Sequence, residues 1–155
     1  MPSPLLTAAT STFESLALLF AEAPPTAAQA EAPLTHAARV AFTGPRAGTL
    51  HVAVSDDVAV ALAANMLGLD PDAVRGDEAL RRDAVGELAN VVCGNVLPLV
   101  AGREAVFHLA APAACDPSDA AAPPAGALVE VLGVDDGRAA VTLSLDAPAA
   151  PRPLP

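Results

Sequence analysis

One stretch of the sequence combines two acids, an amide and a glycine at helical spacing. The residues Asp83, Glu87, Asn90 and Gly94 follow one another at steps of four, three and four. At about 100° per residue of an α-helix, these steps place all four within roughly 60° of one another. An acid can pair with a cation, and an uncharged amide can orient a water molecule through both its carbonyl and its NH₂ group. This acid–amide line is therefore either a solvated helix face or a reactive surface.

Two glycines strengthen the second interpretation. Gly86 and Gly94 both lie inside the same predicted helix, where a glycine costs roughly 1 kcal/mol relative to alanine. On the line itself, Gly94 would let another surface approach the helix backbone closely. A Glu-x-x-Asn pair alone is weak evidence. Its combination with two helix-weakening glycines in residues 83–95 favours a functional surface.

The elements that must position this line can be predicted from periodicity and capping signals. Asp77 is a predicted N-cap and Gly102 the end of a helix over 78–101, which Pro98 should kink or shorten. Other predicted elements are a helix over 5–22, a hairpin of 39–42 and 49–54, a helix from 56 to 67, and strands over 105–110, 127–134 and 138–145. This order predicts a mixed α/β fold of the α+β class, with a mostly antiparallel sheet and helices packed on one face.

The domain organisation follows from length and local composition. A chain of 155 residues fits one domain, predicted over 1–146. Segments near 23–37 and 112–125 are rich in Ala and Pro and are predicted to be loose loops. Residues 147–155 are predicted to be a disordered Pro/Ala-rich tail.

Composition excludes several classes of partner. The net charge is −10, and the eight basic residues are scattered arginines, so no basic stripe is available for nucleic acid or anionic membranes. Trp and Tyr are absent, which removes the usual stacking platforms for single strands. Two cysteines outside any CxxC pair, with no basic signal-peptide region, indicate a cytoplasmic protein.

Other chemistries have weaker support. The three histidines lie on separate segments, and we expect no metal site in this chain. Cys93 lies off the acid–amide line and is interpreted as a packing thiol. Asn95 falls near the apolar side of the helix and is expected to be buried and hydrogen-bonded. Neither a GxSxG string nor a P-loop occurs.

The string over 83–95 resembles the active helix of the chemotaxis phosphatase family that includes CheC, CheX and FliY. The family signature is Asp or Ser, three residues, Glu, two residues and Asn, which here falls on Asp83, Glu87 and Asn90. CheC-like members usually carry a second copy on the N-terminal helix, but here Glu14 is followed three residues later by Ala17. One site per chain makes a CheX-like member the nearer comparison.

The resemblance implies a phosphatase that hydrolyses the aspartyl phosphate of a CheY-like response regulator. Asn90 would orient the attacking water, Glu87 would pair with the receiver's lysine, Asp83 would add a secondary contact and Gly94 would permit close approach. This chain would bind no cofactor, because the receiver supplies Mg²⁺, and it would form a homodimer. The alternative is a non-catalytic CheX-like interaction module that binds a receiver or a signalling or flagellar partner. Simple self-association through edge strands is a third possibility.

Overall fold

An antiparallel sheet forms the centre of the molecule, which is described by a computed structural model covering residues 1–121 and 123–146. The strands are β1 (Ala21–Glu22), β2 (Leu34–Thr43), β3 (Gly48–Ser55), β4 (His108–Leu109), β5 (Ala113–Cys115), β6 (Leu128–Val134) and β7 (Gly137–Leu145). Within the described residues they pair in the order β1-β6-β7-β3-β2-β4, and β5 also pairs with β2. All these pairs are antiparallel, as predicted.

Helices cover this sheet mainly on one face. They are α1 (Pro4–Ala17), α2 (Ala27–Ala30), α3 (Asp56–Leu67), α4 (Pro71–Arg75), α5 (Glu78–Ala101) and α6 (Pro117–Ala121). The side chains of α1, α3 and α5 join one buried cluster with alternate residues of the strands. Short α6 packs on the opposite side, where Ala120 meets Ala37 and Ala53. The α+β class is confirmed, with this small addition on the second face.

The core is built from Ala, Val and Leu rather than from aromatic residues. Val40, Leu50 and Val52 of the central hairpin are fully buried, and so are Leu88 and Val92 of α5. Residues on a strand alternate between its two sides, so the same hairpin turns Ala37 and Ala53 toward α6. The sheet therefore presents a continuous apolar surface on which α5 packs.

The first helix is shorter than the sequence predicts. Instead of continuing to residue 22, α1 ends at Ala17 because Leu18 adopts a left-handed conformation with φ 55°. The Leu18 N–H donates to Glu14 O at 3.0 Å, which is the 5→1 bond of the αL capping motif, and the Leu19 N–H donates to Phe13 O at 3.0 Å. The reversal buries Leu19 and directs the chain into β1.

The two segments predicted as loose loops both contain regular elements. Within 23–37, α2 is closed by a capping box between Thr26 and Gln29, and Gln29 Nε2 donates to Asp135 O at 2.8 Å. Within 112–125 the chain forms β5 and α6, where Thr142 Oγ1 donates to Ala120 O at 3.3 Å. Composition does not predict these elements, because they are stabilised by the reciprocal hydrogen bonds of a capping box and by packing of alanine side chains rather than by large apolar residues. The predicted tail at 147–155 lies outside the described residues.

Helix α5 is also the one described helix whose length and apolar content would suffice to cross a membrane. Half of its apolar window is buried within the domain. It packs on α1, α3 and strands β2 and β3. The buried apolar residues of α5 therefore belong to the core of this fold.

Candidate functional site

The helix that carries the acid–amide line begins and ends where the sequence predicts. The Asp77 carboxylate accepts hydrogen bonds from the backbone N–H groups of Ala79 and Leu80, at 3.1 and 3.3 Å. Gly102 ends the helix with φ 87°, and its N–H donates to Pro98 O at 3.0 Å. The helix continues past the exposed Pro98 for three residues, so the proline does not shorten it.

A cluster of charged groups holds the first turn of α5. The Arg81 guanidinium donates to Glu78 Oε2 at 2.6 Å and, through Nη1, to the carbonyl oxygens of Val74 and Arg75 at 2.7 Å. His36 Nε2 on β2 lies 2.9 Å from Glu78 Oε1. The hydrogen bond from Arg81 is the main cause that lowers the pKa of Glu78. These contacts join β2, α4 and α5 just before the acid–amide line.

The acid–amide line emerges on the side of α5 that faces away from the core. Asp83, Glu87 and Gly94 are exposed, and Asn90 is half-buried. No hydrogen bond within residues 1–121 and 123–146 uses the side chain of Asp83, Glu87 or Asn90. An added Cβ at Gly94 would meet no atom within 4 Å, so the backbone there is open. The three polar side chains are thus available to a partner.

Two open grooves flank Asp83 and Glu87, the first two residues of the line, one on each side. The polar groove has a volume of about 310 Å³ and is lined by Ala38, Arg82, Asp83, Gly86, Glu87, Pro112 and Ala114. The apolar groove has a volume of about 250 Å³ and is lined by Met66, Leu67, Leu80, Asp83, Ala84 and Glu87. Asp83 and Glu87 therefore form the ridge that the two grooves share.

Several of these groove residues carry no signal in the sequence. Pro112 joins the polar groove because the chain before β5 passes over Gly86, where an added Cβ would lie 3.5 Å from the proline ring. Met66 and Leu67 come from the end of α3. Only the tertiary fold brings these residues to the line, and a helical periodicity cannot reveal them.

The sequence predicts packing roles for two further residues of α5, Cys93 and Asn95. Cys93 is fully buried, and desolvation raises the pKa of its thiol to about 12, which agrees with a packing role. The prediction that Asn95 is buried is wrong, because this residue is exposed. Its Nδ2 group nevertheless donates to Thr12 Oγ1 on α1 at 2.9 Å. The exposed Asn95 of α5 is thus hydrogen-bonded to the fully buried Thr12 of α1.

Among the described residues, no group of three or more His, Cys, Asp or Glu side chains could hold a metal ion. His36 is engaged with Glu78, whereas His51 and His108 lie on β3 and β4. The arrangement on α5 can offer a partner two carboxylates, one amide and an open stretch of backbone.

The fold and this site define a class: an α+β domain whose long core helix presents a single exposed acid–amide line. The sequence pattern described as "Chemotaxis phosphatase CheX" matches residues 36–132, which include the whole line and both grooves. The chain belongs to the CheX family of chemotaxis phosphatases. No curated protein matches it in sequence.

Solved structures show the same fold. A CheX chemotaxis protein from Desulfovibrio desulfuricans has a TM-score of 0.67 at 21% identity, covering 92% of this chain and 97% of that one. CheX from Vibrio vulnificus has a TM-score of 0.67 at 18% identity, covering 92% and 94%. The CheX-CheY-BeF₃-Mg²⁺ complex from Borrelia burgdorferi has a TM-score of 0.67 at 17% identity, covering 93% and 96%.

Proposed function

We propose that this chain is a phosphatase that hydrolyses the aspartyl phosphate of a CheY-like response regulator, with Asn90 as the catalytic residue. The observation that carries the proposal is the acid–amide line on α5, where Asp83 and Glu87 are exposed, Asn90 is half-buried, and the opposite side of the helix is buried in the core. Membership of the CheX family supports a role directed at CheY-like receivers. The B. burgdorferi neighbour, a complex with CheY, BeF₃ and Mg²⁺, also supports it.

Hydrolysis of the aspartyl phosphate requires little from this chain except that it positions the attacking water. In hydrolysis of an acyl phosphate, a water oxygen bonds to phosphorus and the bond from phosphorus to the aspartyl oxygen breaks. The products are inorganic phosphate and a free carboxylate, and the water's proton passes to phosphate or solvent. Holding that water in line with the breaking bond supplies most of the acceleration. The Asn90 amide accepts a hydrogen bond from the water through its carbonyl and donates through NH₂, without changing charge.

The neighbouring residues of the line fix the receiver around Asn90. Glu87 pairs with the receiver's lysine, and Asp83 adds a polar contact one helical turn earlier. At Gly94, the absence of a side chain lets the receiver approach the helix backbone closely. Asp83 and Asn90 are separated by about 10 Å along the helix, at 1.5 Å per residue, so one receiver surface can contact both.

In this proposal the chain itself binds no metal or other cofactor, and the Mg²⁺ belongs to the receiver. The setting is the cytoplasm. We also propose a homodimer that forms by pairing between sheet edges, which in the described residues are β1 at one end and β4 and β5 at the other. Sedimentation of the purified protein tests the dimer directly.

The test is the decay of phosphate from purified CheY-like receivers in the presence of this protein. Wild-type protein should shorten the phosphate lifetime, and Asn90→Ala should lose about 100-fold of that acceleration because the water is no longer oriented. Asn95→Ala is the matched control, since it removes the same amide from the same helix on a different side.

Three outcomes separate the alternatives. If Asn90→Ala alone loses activity while both variants remain folded, the catalytic assignment stands. If wild-type protein binds receivers tightly but leaves phosphate lifetime unchanged, the chain is the non-catalytic interaction module. Equal losses in Asn90→Ala and Asn95→Ala would contradict the assignment of Asn90.

A further inference from the structure

The apolar groove beside the acid–amide line is lined by residues of two helices that pack against each other. Met66 and Leu67 come from the end of α3, and Leu80 and Ala84 come from α5. Leu67 remains 51% exposed, and Met66 and Leu80 are half-buried. The four side chains are apolar, while the rim toward the line consists of the carboxylates of Asp83 and Glu87.

The groove's dimensions suit a side chain rather than a free small molecule. Its volume of about 250 Å³ lies below the roughly 300–1,000 Å³ that is typical of small-molecule pockets. It is open to solvent and lies at the surface between two helix ends. Methionine in its wall adapts to apolar groups of different shape, as at many protein-binding surfaces.

The charges on the rim restrict what can enter. A second copy placed symmetrically on this face would bring Asp83 and Glu87 against the same carboxylates, because the two halves of a two-fold interface are the same patch. That contact would add to the repulsion of a chain whose net charge is −10. An apolar group that projects beside a cationic group satisfies both the walls and the rim.

We propose that the apolar groove receives an apolar side chain of the receiver, located beside the lysine that pairs with Glu87. This inference rests on the proposed function, because Asp83 and Glu87 belong both to the groove and to the acid–amide line. The groove thereby determines which receivers bind, while Asn90 determines how fast the bound phosphate is lost.

The experiment measures two quantities with a BeF₃-loaded, Mg²⁺-bound CheY-like receiver and with the phosphorylated receiver. The first is the dissociation constant and the second is the dephosphorylation rate at saturating concentration of this protein. Leu67→Gln should weaken binding about tenfold, since a buried apolar contact at the centre of an interface is lost. The saturated rate should stay unchanged, because Leu67 touches no reacting group.

Two variants control for general effects on the surface. Leu99→Gln changes the same residue type, 52% exposed at the far end of α5, and should leave binding unchanged. Leu67→Met keeps the groove apolar and should bind like wild type. Thermal melting verifies that all three variants are folded.

The outcomes distinguish this inference from the proposed function. If Leu67→Gln weakens receiver binding but wild-type protein causes no dephosphorylation, the role of the apolar groove in receiver binding is supported and the proposed phosphatase activity is rejected. If dephosphorylation occurs and wild type and Leu67→Gln bind the receiver with equal affinity, the role of the groove is rejected and the proposed phosphatase activity stands. A change in self-association with unaltered receiver affinity would assign the groove to a second copy and overturn the inference, as would wild-type protein that binds no receiver.

Discussion

Helices α1 and α5 pack side by side on the same face of the sheet and are joined by the hydrogen bond from Asn95 to Thr12. Each carries an exposed glutamate, Glu14 on α1 and Glu87 on α5. Three residues after Glu87 lies the half-buried Asn90, whereas three residues after Glu14 lies Ala17, only 1% exposed.

The difference arises from the way each helix is rotated on the core. On α1 the residues at successive steps of four, Leu5, Ala9, Phe13 and Ala17, are all buried. On α5 the same kind of step runs along the solvent side. A residue pair at i and i+3 can act on a partner only where both positions face away from the core. Helix α1 offers one such position and α5 offers both.

The largest effect is expected when the charge of Glu87 is reversed. Glu87→Lys replaces an attraction to the receiver's lysine with a repulsion, and we expect receiver affinity to fall about 100-fold. Glu14→Lys makes the same change at an exposed position of α1 and should leave affinity within twofold. Titration calorimetry with the BeF₃-loaded receiver measures both. Equal effects of the two changes would show that long-range charge, rather than the site on α5, controls binding.

Placing the missing amide on α1 should damage the fold without creating a second site. Ala17→Asn inserts a larger polar group into a fully packed position, and we expect a loss of about 2 kcal/mol in the free energy of unfolding. Chemical denaturation measures the loss, with Ser15→Asn at an exposed position of the same helix as the control. Undiminished stability together with raised phosphatase activity would contradict the comparison.

The glycine on the acid–amide line allows stability and function to be separated. Gly94→Ala should stabilise the helix by about 1 kcal/mol, because no atom lies within 4 Å of the added methyl group. The same methyl group should lower receiver dephosphorylation several-fold by blocking the close approach. Denaturation and phosphate-decay measurements on one preparation test both statements. If Gly94→Ala is more stable and keeps full activity, Gly94 does not lie in the interface with the receiver.

The smallest effect should come from the contact that joins the two helices. Thr12→Val removes the acceptor of the Asn95 amide, which can turn to water instead because Asn95 is exposed. We expect a loss of about 0.5–1 kcal/mol in unfolding free energy and no change in the phosphate-decay rate. A marked fall in activity would mean that α1 helps to position the acid–amide line.

The sequence predicts the helix of the site better than its surroundings. Asp77 and Gly102 give strong local signals, and the bounds of α5 follow from them. No local signal of this kind predicts that Leu18 adopts a left-handed conformation and ends α1. This conformation buries the next residue, Leu19, and burial depends on the tertiary fold. Exposure of Glu87 follows from periodicity, but the approach of Pro112 and Leu67 depends on contacts between distant segments.

The burial pattern of α5 also has an evolutionary consequence. One side of the helix is committed to the core, whereas the side chains of Asp83, Glu87 and Asn90 make no hydrogen bond elsewhere in the described chain. Substitutions at the exposed Asp83 and Glu87 carry little folding cost, since changes at surface positions away from packed contacts usually alter stability by about 0.5 kcal/mol or less. Selection can therefore redirect this surface toward a new receiver in a few steps while the scaffold beneath it is inherited unchanged.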